Sequence, residues 1–218
     1  MSDTALRRTL AALEGRPASR IDTHAAECCR MARAWMQARL SLEDGLEWLR
    51  TRYPWGPHRW PLHWCDVACA DRLDCGGLAA LAHHVLQARG AQAYPVQLVE
   101  RFDESTGRAW ARRWAKGGGT IEWVWGDLVY HEGVTVLSGG ELTIWDPTDG
   151  CSVDDRARTG YGALVALRVV DLERSLRGVK WLGAPLSTNT WTVLPAELSV
   201  SALFEGPRSR KIEGRAAS

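Results

Sequence analysis

The sequence has almost no phenylalanine, no surplus charge of either sign and no long apolar run. No stretch approaches the roughly 18–20 apolar residues of a membrane span, so a membrane partner is not expected. Lys and Arg number 27 against 26 Asp and Glu, for a formal net charge of +1, and nothing in that balance calls for nucleic acid. The opening MSDTALRRTLAALEGR lacks an apolar h-region, so a secretory signal is not expected and a cytoplasmic protein is. Cysteines are too few for a disulfide framework. The six, at 28, 29, 65, 69, 75 and 151, are expected as reduced core or catalytic thiols.

Tryptophan, by contrast, is abundant: 12 residues against two phenylalanines, most of them expected in the core and a few left to line a cleft. A chain of 218 residues, 45% hydrophobic, is enough for one sizeable core. The expectation is one domain over 1–206, helical over 1–90 and β-rich over 91–206. The tail 207–218 reads as flexible; its IEGR resembles a processing-protease site and marks it as either a native basic tail or an added one.

Amphipathic spacing predicts helices over 3–14, from Asp22 or Thr23 to Leu40, and from a Ser41/Asp44 capping box to Tyr53. Prolines and a glycine make 52–64 a loop, and a further helix runs from about Cys75 to Ala88, stopped by Gly90. Strands are expected at 94–99, 120–125, 128–137, 141–145 and 163–170, with an edge at 191–194, separated by turn residues in the manner of an antiparallel meander. The charged stretch 101–119 reads as a surface excursion. Helices first and strands later make the fold class α+β.

Asp74-Cys75-Gly76-Gly77 carries the chemistry. Asp74 is a good N-cap, and it places Cys75 in a first helical turn, where unpaired N–H groups and the helix dipole lower a thiol's pKa. The two glycines clear space for a substrate backbone. His131, in VYHEGVTVL, and Asp146, in IWDPTDG, fall on adjacent predicted strands that can bring their side chains together. An aspartate on one ring nitrogen leaves the other to take the thiol proton. Singly, each residue also reads as structural: a buried cysteine, a half-buried strand histidine and a turn-starting Asp-Pro.

Together the order Cys, His, then Asp-Pro-Thr resembles the transglutaminase-like superfamily over residues 60–150. The helix-to-strand phrase LAALAHHVLQARGAQAYPVQLV and the run Trp145-Asp146-Pro147-Thr148 are similar to that family's marks. Arylamine acetyltransferases and peptide glycanases share the three-residue logic, and the papain-like fold relates them all. The resemblance implies that N-terminal helices, the nucleophile helix among them, pack on an antiparallel sheet. It also implies a cysteine hydrolase or acyltransferase acting on a peptide or small amide or thioester, with or without an amine acceptor, and without a cofactor. An inactive relative that binds a peptide or protein is the alternative of another class. Gly133 departs from the aromatic that many members carry two residues after the histidine, and the interval from Cys75 to His131 is longer than in compact members.

Secondary candidates are weaker. Trp64, beside His63, is the expected oxyanion donor partnering the Cys75 N–H, with Gly76 and Trp123 as substrate contacts. His63, Cys65 and Cys69 have the residue types of a zinc site, but no fourth ligand is evident and no metal is expected. Cys28-Cys29 reads as core packing, and His83-His84 as solvent and groove. Arg108, Arg112, Arg113 and Lys116, interleaved with Trp110 and Trp114, read equally as a substrate lid or a solvated insertion.

Overall fold

A computed structural model describes residues 17–40, 45–102, 104–116, 124–125, 128–138, 141–148, 151–152, 163–170, 181–183 and 192–194. Within them the chain is α+β, with a helical layer against one antiparallel sheet. The expected helix at 3–14, Trp123 and the tail 207–218 lie outside the described residues.

The chain enters as β1 (Ile21–Asp22), which runs parallel to β2 (Leu62–His63). Asp22 is therefore paired in a ladder with His63 and does not cap the next helix. That helix, α1 (Ala26–Leu40), begins later, with Cys29 N–H donating to the Ala25 carbonyl at 2.8 Å. Next is α2 (Gly45–Arg52); its expected cap at 41–44 is outside the described residues. Tyr53 then closes the helical layer, donating its hydroxyl to the Val67 carbonyl at 2.8 Å. Val67 belongs to α3 (Trp64–Cys69), a short helix opening where the predicted loop ends.

α4 (Cys75–Ala88) has the predicted limits. It stops because Gly90 takes φ +78°, a left-handed position that favours glycine. Leu78, Leu81, Ala82 and Val85 line its buried face, against Met36 of α1, Leu49 of α2 and Val67 of α3. Burying a Leu or Val side chain stabilises by about 1.5–3 kcal/mol. This face is what fixes α4 to the sheet, through Ala93 and Val134.

The sheet order is β10-β9-β8-β3-β5-β6-β7, with β4 on β5. Its strands are β3 (Gln92–Arg101), β4 (Val124–Trp125), β5 (Leu128–Ser138), β6 (Glu141–Asp146), β7 (Cys151–Ser152), β8 (Ala163–Val169), β9 (Trp181–Gly183) and β10 (Thr192–Leu194). β10 is the edge that the sequence predicts, and β9 was not anticipated. β3 is longer than its predicted 94–99 and central, although it holds Pro95. A proline lacks the N–H that a central ladder needs. The conflict is relieved because β8 pairs with β3 only from Val96 onward, and at Pro95 itself the carbonyl accepts from Val170 N–H at 2.9 Å. The excursion after β3 is a helix, α5 (Glu104–Lys116), with Arg108, Arg112 and Lys116 exposed.

β5 and β6 form a hairpin in register from Ser138↔Glu141 to Val134↔Trp145. Just beyond the last pair sits Gly133. A Cβ there would lie 2.7 Å from the Trp145 carbonyl oxygen, a contact with backbone that cannot swing away. Glycine is what lets β6 approach so closely one residue before Asp146. Gly133→Val is expected to destabilise the protein by about 1–3 kcal/mol in urea denaturation, by overpacking against backbone. A loss below about 0.5 kcal/mol, the range of a neutral surface change, means that the strands part freely.

Candidate active site

Cys75 opens α4, and Asp74 caps it: the Asp74 Oδ1 accepts from Gly77 N–H at 2.8 Å. That carboxylate, 3% exposed, has two further partners on the preceding loop. Trp60 Nε1–H donates to Oδ2 at 3.0 Å, and His58 Nε2 lies 3.1 Å from Oδ1. Burial lowers the His58 pKa, but the Asp74 carboxylate more than offsets it, so the net shift is upward.

His131 on β5 and Asp146 at the end of β6 meet as the sequence predicts. His131 Nε2–H donates to Asp146 Oδ2 at 2.8 Å, leaving Nδ1 for the thiol. The Asp-Pro-Thr run explains how Asp146 is aimed. Thr148 N–H donates to Oδ1 at 2.8 Å, a side-chain turn that fixes the carboxylate with its other oxygen toward the ring. Asp146 is 1% exposed, so this pairing is made out of water. Cys75 and His131 lie close enough for each to shift the other's pKa.

The electrostatics depart from the expectation of a lowered thiol. Burial pushes the Cys75 thiol up; His131 pulls it down, and the Asp74 and Glu132 carboxylates push it up again. The net direction is upward, because two acidic neighbours add to burial at the helix start. Burial alone would lower His131, yet Asp146 and Cys75 hold it well above its ordinary 6.5. Burial thus opposes the thiolate, while Asp146 favours the imidazolium.

Glu132 was not singled out from the sequence as a site residue. Its carboxylate, 4% exposed, accepts from Ser19 N–H at 3.0 Å, from the Ser19 hydroxyl at 2.8 Å and from the Tyr130 hydroxyl at 2.7 Å. Burial still holds it above the ordinary 4.5 against those three donors. The available signal was an acidic residue inside the apolar run VYHEGVTVL. Ser19 in turn corrects the reading of the glycines. A Cβ on Gly76 would lie 2.4 Å from the Ser19 hydroxyl oxygen and 3.3 Å from the Trp60 ring; one on Gly77 would lie 2.9 Å from His58 Nε2. The cleared space is filled by this chain's own residues rather than left for a substrate.

Trp64 is also corrected. Its ring packs on His84, 4.4 Å between centroids, under the Arg33 guanidinium at 4.9 Å. His84 is nine residues along α4 from Cys75, about 13 Å on the axis, because α3 carries Trp64 to the middle of that helix. The tryptophan beside the nucleophile is Trp60. His84 is partly buried in this contact, and burial, with Arg33 and His83, lowers its pKa. Gly76 keeps a place through its backbone. Gly77 N–H is taken by Asp74 and Leu78 N–H by the Asp74 carbonyl, which leaves the Cys75 and Gly76 N–H groups at the helix start. The side chains of Trp110, Arg113 and Trp114 lie outside the described residues. Among the described residues the one group with metal-ligand spacing is His24, Cys29 and Cys65, which shares no residue with this site and includes neither His63 nor Cys69.

Two measurements follow from the shifts. Iodoacetamide alkylation read by peptide mass spectrometry is expected to place the Cys75 pKa above the ordinary 9.0, and His131→Ala to move it higher still, because His131 lowers it. A Cys75 that titrates below about pH 8 contradicts the dominance of burial. For His131 the raised folded-state pKa means that the stability it contributes is fully present below 6.5 and lost as pH rises through the folded value. Asp146→Asn is therefore expected to cost about 3 kcal/mol at pH values under 6.5 and progressively less above it, by urea denaturation across pH. Equal losses at both ends refute the linkage. Comparison with protein-family models, with curated proteins and with solved structures finds no match to this chain, so what the site does has to be read from its own groups.

Proposed function

We propose that the chain is a thiol enzyme with a papain/transglutaminase-like arrangement, which acts on a peptide-like amide or thioester through an acyl-enzyme on Cys75. The observation that carries the reading is the buried 2.8 Å bond from His131 to Asp146, with the ring's other nitrogen left for a sulfur at the start of a helix. An inert core cysteine needs no oriented imidazole, and an ordinary strand histidine needs no carboxylate held by its own turn.

In this mechanism the Cys75 thiol gives its proton to His131 Nδ1, and the sulfur attacks the substrate carbonyl carbon. The Cys75 and Gly76 N–H groups meet the oxyanion, while Asp146 stabilises the imidazolium. His131 then protonates the leaving amine or thiol as the bond to it breaks, leaving a thioester on Cys75. Water, deprotonated by His131, attacks that thioester and releases the acid and the thiol. Hydrolysis is favoured because water needs no dedicated acceptor site. An amine in place of water makes the same intermediate an acyltransferase step.

The burial that raises the Cys75 pKa favours a second reading, a catalytically silent module that binds a peptide or partner protein. Intact-protein mass spectrometry separates the two. Activated acyl esters, peptide amides and acyl thioesters are offered from neutral to alkaline pH, with and without an amine acceptor. The enzyme reading expects a transient acyl adduct on Cys75 alone, absent in Cys75→Ala, and turnover lowered at least about 10³-fold in His131→Ala. Adduct formation that is absent across this range, or equal at Cys28 and Cys69, supports the binding module.

A further inference from the structure

The sequence places Cys28 and Cys29 on one helix and Cys65 in a separate segment, with nothing local to join them. The fold joins them. α1 packs on α3, and Cys29 Sγ comes to 3.6 Å from Cys65 Sγ, across 36 residues of sequence. His24, in the turn before α1, brings Nδ1 to 3.6 Å from Cys29 Sγ. The three donor atoms all lie within 4.8 Å of one another. Cys28, the neighbour of Cys29 on α1, is not part of this group. Cys29 is buried, Cys65 half-buried and His24 exposed, so the group opens to solvent on one side.

Tetrahedral zinc sets a distance test for such a group. With bonds of about 2.3 Å to sulfur and about 2.0–2.1 Å to imidazole nitrogen, ligand atoms sit about 3.8 Å apart for two sulfurs and about 3.6 Å for sulfur and nitrogen. The two closest pairs, both at 3.6 Å, match these edges to within about 0.2 Å. Thiolates with one imidazole form a soft donor set, the type that selects zinc over magnesium or calcium. His24 and Cys29 are five apart on one turn and helix start, while Cys65 comes from another helix. That division explains why a search for regular ligand spacing around Cys65 finds no fourth ligand.

We infer that His24, Cys29 and Cys65 form a three-ligand site for a zinc-like divalent cation that clamps α1 to α3, with the fourth position toward solvent. Binding replaces the thiol protons by the metal, with the protons released to solvent. The site also fixes the approach of β1, two residues before His24, and of β2, which ends where α3 begins. It is independent of any reaction at Cys75.

The test uses the full chain, prepared under reducing conditions and stripped of metal with a chelator, then titrated with zinc(II) and with cobalt(II) as a spectroscopic substitute. Expected are one equivalent bound, thiolate-to-cobalt charge-transfer absorption, and the intense visible bands of a tetrahedral centre. Cys65→Ser and the exposed-residue variant His24→Gln should each weaken cobalt affinity by at least about 100-fold, with Cys69→Ser unchanged. Circular dichroism of His24→Gln and Cys65→Ser confirms that loss of affinity is not loss of fold. Binding below one equivalent, an octahedral-type cobalt spectrum, or affinity unchanged in Cys65→Ser overturns the assignment. So does a Cys29–Cys65 disulfide, identified by mass spectrometry, that persists in the reduced, metal-free protein and excludes the metal.

Discussion

One buried carboxylate, that of Asp74, holds the described structure together at the point where chemistry is placed. Through Oδ1 it closes the first turn of α4, and through Oδ2 and its His58 contact it ties down the loop before α3. A cap of this type is worth about 1 kcal/mol. Its position matters more than that figure, because the residue after it is the nucleophile candidate. The helix start, the loop tryptophan and the covering residue Ser19 are thus located by reference to a single side chain and its neighbouring glycines. Without a Cβ at Gly76 and Gly77, these elements approach to distances that any larger residue forbids.

The chemistry of the site follows from an excess of acid around one Cys–His pair. Asp74, Glu132 and Asp146 are all buried, and each has a different job: capping a helix, holding Ser19, and orienting an imidazole. Only Asp146 is bonded to the imidazole, and it favours the imidazolium. Asp74 and Glu132 act on the sulfur through space and oppose the thiolate. The helix start that would activate a solvated thiol is outweighed here by burial and by those two charges.

Much of this was legible in the sequence because it is local. The limits of α4 follow from Asp74 and Gly90, and the meeting of His131 with Asp146 follows from two strands and a short turn. The length of β5 and β6 came within a residue. What stayed hidden is non-local. The parallel pair β1–β2 joins residues far apart with no helical crossover pattern to announce it, and the loss of Asp22 as a cap follows from that pairing. Glu132 has no local signal of its role in holding Ser19, because that partner is distant in sequence. Trp64 and Trp60 lie in one proline-rich loop, and only the short helix α3 decides which of them reaches Cys75. The grouping of His24, Cys29 and Cys65 is hidden for the same reason, since its members come from two separate segments.

Ser19 lies against the start of α4 and bonds to Glu132, the residue after His131. Glu132 is satisfied by a main-chain N–H and a hydroxyl from one residue. A visitor that displaces Ser19 and brings only hydrocarbon leaves the buried Glu132 carboxylate with the Tyr130 hydroxyl alone, which is destabilising. A visitor that brings an amide N–H and a hydroxyl of its own replaces like with like. Under the proposed function, admission beside Cys75 is then graded by the donors a molecule carries, before its shape or its reactive bond is consulted.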